Sequence, residues 1–549
     1  MARVNLDFDP DGEWCERADF TWQLRSYELG LNAFETSIGT QATGPLESLP
    51  EVCIFAPPAA AVRSGGSKRA ALQAWAALSA MKLAEGQARI KRIDAKGEAF
   101  SDEAEELEFS LLHAVHALLD DDGEAAVDIV DHAITAYEGA ADHPATPLLL
   151  RLAHWKARRL TAFCELSRPV PSLPAHRREV LCGILHLSME AAVEAEQLRL
   201  ATAARLAQEA LDMSMRFFGP DFPGGRMSAT LNAAILYEQN HVDAADGLLR
   251  DRLAQSGSQG GIECALCAYI VEARIAVSRR QVPFAILLLR EAELLGEERK
   301  WPRLVAISLA EHVRVLVEAG RIGEAEDCLA RLRFDAGKSC RPGCEGVVTR
   351  EIAICHARLE LAAGAVTESS DSCLRRIIAE HLARKDLQRA TEVQVLLACA
   401  LHRQGRDREA GAEAVRALER GATAGLYRTF IDAGEAMRRL LEWLFERCAG
   451  SAALPDDLRP YVRSLLKGFP ERVTLPGSAR TRHRSGESLS PRERHILTLM
   501  SHGLSNKRIA RMLDITPETV KTHAKHILLK LAAQTRVEAV TRALSLGLL

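Results

Sequence analysis

Aromatic residues are scarce, making up only 5% of the 549 residues. Leu, Ala, Arg and Glu are plentiful, a balance that favours helix over strand. No apolar stretch approaches the ~18 uninterrupted residues of a membrane span. The chain starts on Asp7, Asp9, Asp11 and Glu13, the wrong flank for a secretory signal. The 13 cysteines are scattered, which fits a reducing cytoplasm better than a disulfide framework. No G-x-S-x-G, H-E-x-x-H or paired metal-ligand set is present, so nothing in the sequence supports an enzyme, a metal site or a cofactor.

Hydrophobic residues make up 47% of the chain, enough to bury a large core, and this argues against disorder. The length suits three or four ordinary domains, or one long repeat array plus a small module. The net charge of −4 is unevenly spread: from Lys467 onward there are 15 Lys+Arg against 6 Asp+Glu, or +9, which leaves −13 on the preceding 466 residues. A basic tail on an acidic body suggests a nucleic-acid-facing module, with a solvated charge bias as the plainer alternative.

Residues 1–68 contain Gly44-Pro45, Pro50, Pro57-Pro58 and Gly65-Gly66, which break any long helix. Residues 69–467 follow a helical periodicity and contain a repeat. Similar strings open at Asn240, Arg280, Gly320, Gly364 and Gly405, in steps of 40, 40, 44 and 41 residues. A small residue recurs at Ala245, Ala285, Ala325, Ser369 and Ala410, beside Val242, Val282, Ile322 and Val366. The pattern predicts stacked helix pairs, longer relatives of the ~34-residue tetratricopeptide unit. Residues 107–137 and 177–216 read as earlier, less regular pairs. Residues 468–487, with Arg480, Arg482, His483 and Arg484 among Gly, Ser and Pro, read as a flexible basic linker.

Residues 488–549 carry the strongest local signals. Ser490-Pro491-Arg492-Glu493 combines an N-cap, a proline at the first helical position and a capping-box Glu. A first helix is expected to end at Gly503, with Ile496, Leu499 and Met500 inward. Ser505 caps a short second helix, Asp514-Ile515-Thr516 forms a tight turn, and Thr516-Pro517 opens a third. Thr535 and Glu538 form another capping box, for a fourth helix. Two short helices joined by a three-residue turn are the helix-turn-helix arrangement. In the third helix Val520, Ala524, Ile527, Leu528 and Leu531 form a buried stripe. Lys521, Thr522 and Lys525 share the other side, as DNA-contacting groups or as a solvated helix face.

The string LSPRERHILTLMSHGLSNKRIARMLDITPETVKTHAKHILLKLAAQTRVEAVTRALSLGLL resembles the LuxR-type DNA-binding domain along its whole length. The matched positions include Pro491, Glu493, Leu497, Gly503, Asn506, Ile509, Ala510, Leu513, Thr519, Val520, Lys521, His523, Ile527, Lys530, Leu531, Arg536 and Ala539. The resemblance implies four helices, with the third in the major groove and the fourth able to dimerise. It implies that Lys521, Thr522 and Lys525 face the bases, and that Ser505, Asn506, Lys507, Thr519, His523 and Lys530 hold the backbone. Ala532 stands where the family often has Gly, and Leu529 where it usually has a charged residue.

Upstream, GLYRTFIDAGEAMRRLLEWLFER from Gly425 and the repeat strings from Leu231 and Glu297 resemble large MalT-like regulators. Those regulators usually begin with an ATPase module. Here the nearest string, Arg63-Ser64-Gly65-Gly66-Ser67-Lys68, lacks the spacing and the Ser or Thr of a phosphate loop, so ATP control does not carry over.

The expectation is an all-α chain, a helical-repeat solenoid followed by a four-helix helix-turn-helix DNA-binding domain. Its expected function is that of a cytoplasmic transcriptional regulator, an activator, whose repeats sense a ligand or partner. Expected partners are double-stranded DNA, RNA polymerase, a second copy through the C-terminal helix, and a small-molecule or protein effector, with no membrane. The alternatives are a repeat scaffold that binds proteins, and a fragment of a larger ATP-dependent regulator. Cys264 and Cys267 have zinc-like spacing but read as small buried residues one helical turn apart. Cys340 and Cys344 fall in a loop between repeats, where a metal or redox role has slightly more support. His113 and His116 read as structural or solvated.

Overall fold

The computed structural model describes residues 83–96, 103–166, 177–219, 224–249, 261–339, 345–446, 454–470, 489–501 and 506–531, except Pro144 and Asp514. It also describes Ala71, Ala74, Trp75, Phe222, Arg536, Ala539 and Ala543. Residues 1–68, most of the linker, Cys340, Cys344 and Ser505 lie outside these residues. Every regular element among the described residues is helical. None of the described helices is long and apolar enough to cross a membrane.

The chain opens with α1 (Leu83–Lys96), α2 (Glu103–Leu119), α3 (Gly123–Ala136), α4 (Thr146–Lys156), α5 (Leu160–Glu165), α6 (Arg177–Glu196) and α7 (Leu200–Phe218). There follow α8 (Gly224–Glu238), α9 (Val242–Leu249), α10 (Ile262–Ser278), α11 (Val282–Arg299), α12 (Pro302–Glu318), α13 (Ile322–Ser339), α14 (Glu345–Ala363), α15 (Glu368–Ala383), α16 (Leu387–Arg403) and α17 (Asp407–Ala424). Next come α18 (Arg428–Ile431), α19 (Gly434–Glu446) and α20 (Arg459–Gly468), then α21 (Pro491–Ser501), α22 (Asn506–Met512) and α23 (Pro517–Lys530).

The described residues divide into two compact units, and the second holds everything from Arg226 onward. In the first, α3 and α4 pack closely at Gly123, where an added Cβ would lie 2.4 Å from the Ala157 backbone nitrogen. Arg151 is buried there, its guanidinium 4.1 Å from the Phe163 ring centroid and donating to the Leu166 carbonyl at 3.0 Å. The stacking and the hydrogen bond offset the cost of burying that charge. His113 meets Phe109 edge-on, at 4.5 Å between ring centroids.

In the second unit, α8 to α17 are five consecutive helix pairs joined by one kind of turn. Asn240, Arg280, Gly320, Gly364 and Gly405 all have positive φ, between 62° and 77°. The following amide closes the turn each time: His241 donates to Leu236, Gln281 to Ala276, Arg321 to Leu316, Ala365 to Glu360 and Arg406 to Leu401. This is the left-handed helix ending that satisfies otherwise orphaned carbonyls. Ala245, Ala285, Ala325 and Ala410 are fully buried at the start of the second helices, as the repeat pattern requires.

Ser369 departs from that expectation, because it is exposed. The second helix starts two residues after the left-handed position at Val242, Val282, Ile322 and Asp407, but four residues after it at Glu368. The longer turn, capped by Thr367 accepting from the Ser370 amide, moves the inward position to Asp371. Arg406 supplies that carboxylate with a 2.6 Å ion pair. The Cys264 thiol is buried and burial pushes its pKa up to about 11, while Cys267 is raised by the same cause.

Beyond α17 the chain folds back onto the first pair of the array. The Tyr427 amide donates to the Glu238 carbonyl at 2.8 Å, and Thr429 donates its amide and hydroxyl to Glu238 Oε2 at 3.1 and 2.9 Å. The Tyr237 hydroxyl donates to Asp432 at 2.8 Å. Glu311 joins this buried set by accepting from Arg274 at 2.9 Å and from Arg314 at 2.6 Å. Leaving one such charge unpaired costs about 3–5 kcal/mol.

Burial pushes the Glu238 carboxyl from its ordinary 4.5 up to about 7, against the pull of Arg274. The folded protein therefore holds this proton more tightly than the unfolded chain does. The stabilisation from Glu238 is complete at low pH and is lost as pH rises from about 4.5 to 7, roughly 3 kcal/mol in all. Chemical denaturation across that range should show the wild-type protein losing stability relative to Glu238→Gln. Parallel pH profiles for the two proteins would refute this.

Candidate nucleic-acid interface

The tail from Leu489 onward is built by local capping. The Glu493 amide donates to Ser490 Oγ at 3.1 Å, and the Ser490 amide donates back to Glu493 Oε2 at 2.7 Å. This reciprocal box fixes the start of α21. Thr516 accepts from the Thr519 amide at 3.2 Å, and Pro517 occupies the first turn of α23. Ile496, Leu497, Leu499, Met500, Ile509, Ala510, Val520 and Ile527 are buried between α21, α22 and α23, with Ala524 and Leu528 packed partly against them. Arg536, Ala539 and Ala543 are also helical, and both alanines are fully buried in the same core.

This packing turns one face of α23 outward. Lys521, Thr522 and Lys525 are all exposed there, together with Glu518, Thr519, His526 and Leu529. Lys521 pairs with Glu518 at 3.2 Å, and the Thr522 hydroxyl donates to the Glu518 carbonyl at 3.0 Å. Asn506 is half-buried and Lys507 exposed at the start of α22, and His523 is half-buried. The Thr519 and Thr516 hydroxyls share a 2.8 Å hydrogen bond.

Lys530 is engaged inside the tail. Its ammonium donates to Glu493 Oε2 at 2.7 Å, bracing the end of α23 against the cap of α21. That bond and the Ser490 amide hold the Glu493 carboxyl down at about 2. A phosphate would have to share this lysine with Glu493. His526 was missed by sequence reasoning, although its place one turn after Thr522 puts it on the same face. Leu529, read from sequence as a lost charge, is 69% exposed on that face.

Residues 164–447 match the MalT-like TPR region. The match covers more than half of the chain. This chain belongs to the MalT-like TPR family. Residues 487–543 of this MalT-like TPR protein match the bacterial regulatory proteins of the luxR family. The nitrate/nitrite response regulator protein NarL of Escherichia coli (strain K12) is 39% identical over 127 residues, 23% of this chain and 52% of NarL. Transcriptional regulatory protein FixJ of Bradyrhizobium diazoefficiens is 42% identical over 62 residues, 11% of this chain and 30% of FixJ. The chain thus spans about half the length of NarL and less of FixJ. The crystal structure of a Rap protein complexed with competence and sporulation factor aligns with 65% of this chain and 99% of its own, at 14% identity and a TM-score of 0.49.

The tail rests on the second repeat pair of the array. Arg508 of α22 pairs with Glu291 of α11 at 2.5 Å, and the Tyr269 hydroxyl donates to the same Glu291 oxygen at 3.2 Å. Phe284, Leu288 and Ala285 join the apolar cluster that holds Ile496 and Ile509. The contact uses α21 and α22, so the outward face of α23 stays exposed. Nothing in the sequence marks Glu291 and Arg508 as partners, because they are 217 residues apart.

Removing an N-cap hydroxyl costs about 1 kcal/mol. Ser490→Ala should therefore lower the unfolding free energy of the tail by that amount, read by hydrogen exchange at the α21 amides of the full chain. Unchanged exchange would show that the cap contributes nothing.

Proposed function

We propose that this MalT-like TPR protein is a sequence-specific, DNA-binding transcriptional regulator. The exposed polar face of α23, held on a capped three-helix scaffold, carries the reading. Lys521, Thr522 and Lys525 reach base edges in the major groove, where lysine meets guanine acceptors and threonine meets either a base edge or a thymine methyl. Asn506, Lys507, Thr519 and His523, with Ser505 by sequence, fix the register on the phosphates. His526 adds a contact beside Thr522. Two copies pair through the C-terminal helix expected from the Thr535–Glu538 capping box and place their reading helices one turn of duplex apart, about 10 base pairs.

The regulator acts in the cytoplasm as an activator that engages RNA polymerase. Its array senses a small molecule or protein partner, and the Glu291–Arg508 contact supplies a route from array to tail. A signal shifts the tail only by binding one arrangement of the two better than the other.

These roles make three variants informative. Lys521→Ala should relax base preference at one position, at a cost of roughly 1–3 kcal/mol. Lys507→Ala should weaken all sequences alike and reduce the salt slope by about 1. Binding isotherms on specific and random duplexes separate the two, and equal loss on both for both variants would overturn the assignment. Glu291→Ala, which lies on the array, should turn conditional reporter output into constant output with operator choice unchanged. Wild-type conditional behaviour in that variant would leave the contact without a regulatory role.

A further inference from the structure

Inside the array lies a cavity of about 970 Å³, walled by α10, α12, α14 and α16 and by the returning segment α18 to α20. Its volume is at the upper end for small-molecule sites, roughly 300–1,000 Å³. Eight arginines line it against three glutamates and one aspartate.

Each of those carboxylates already has a partner. Glu318 accepts from Arg314 at 3.0 Å, Glu392 from Arg358 at 3.3 Å and Glu435 from Arg439 at 3.1 Å, while Asp432 is paired with Arg428. The charge left over is positive. Arg280 and Arg403 both line the cavity, are exposed, and make no ion pair among the described residues. Arg403 lies over the Gly364 turn, its Nη2 3.0 Å from where a Cβ would stand.

Arg428 also lines the cavity, but its guanidinium is committed to Asp432 and Asn240. It is only 7% exposed, yet its Nε–H is buried with no hydrogen-bond acceptor. The rest of the wall includes Val277, Val317, Leu361, Val395, Leu396 and Ile431, which suits an apolar body.

We propose that this cavity binds an organic anion, with a carboxylate or phosphate head drawn to the unpaired guanidinium groups of Arg280 and Arg403 and an apolar body against the valine and leucine wall. This inference rests on the reading of the array as a sensor. Guanidinium groups recognise both heads through paired charge-assisted hydrogen bonds.

The test titrates the full chain with benzoate and phenyl phosphate and with their uncharged counterparts benzamide and phenol, by calorimetry at constant ionic strength. The anions should bind more than about tenfold tighter than the uncharged molecules, and the Arg280→Gln, Arg403→Gln double variant should lose about tenfold of that affinity. The double variant should keep the wild-type melting temperature without ligand, because neither arginine pairs within the fold. The tighter of the two anions identifies the head. Equal binding of benzamide or phenol, no heat from either anion above chloride, or undiminished binding in the double variant would each overturn the proposal. Affinity for genomic fragments recovered with the protein is measured alongside. Anion binding without a change in that affinity sinks the sensor reading and leaves the site. Condition-dependent occupancy without anion binding does the reverse.

Discussion

The second unit depends on the contact between Glu238 and the segment around Thr429. Glu238 ends the first helix of the first repeat pair, and Thr429 lies beyond the last pair, 191 residues later. Five similar helix pairs need only neighbour contacts to stack, and such stacking alone leaves both ends open. The bonds from Tyr427 and Thr429 to Glu238, and from Tyr237 to Asp432, join the two ends of this array. They also bring α18 to α20 over the inner helices, giving the cavity its last wall. The wall and the buried charges are therefore one construction. Arg274, Arg314 and Arg428 are tolerated inside because Glu311, Glu318 and Asp432 were brought to them.

What the sequence made legible was local. The Ser490–Glu493 box, the Thr516-Pro517 start and the stripe from Val520 to Leu531 are written within a few residues of each other. The repeat was legible for the same reason: one left-handed turn recurs at Asn240, Arg280, Gly320, Gly364 and Gly405, with a buried alanine after all of them but Gly364. Ser369 shows where alignment by spacing fails. Two extra turn residues rotate the next helix, and Asp371 with its partner Arg406 takes the place assigned to a small residue.

The contacts that carry regulation in this reading were not legible. Glu291 and Arg508 are ordinary charged residues on two separate helices, and only tertiary packing brings them to 2.5 Å. Lys530 illustrates the same point within the tail. The resemblance implied a phosphate contact for it, and the fold pairs it with Glu493. The apolar wall of the cavity likewise looked from sequence like any inward helix face.

Leu529 stands at the C-terminal end of an otherwise polar face, with most of its surface open to water. An apolar side chain carries no counterions to release, so any part of binding that it supplies is insensitive to salt, unlike the part supplied by lysine. A face that mixes the two has an affinity with two components, one that fades as ionic strength rises and one that persists. In the proposed reading, the apolar feature that the major groove offers such a component is the methyl group of thymine. Salt therefore acts on this surface as a filter: the more of it there is, the more the remaining binding reports sequence over charge.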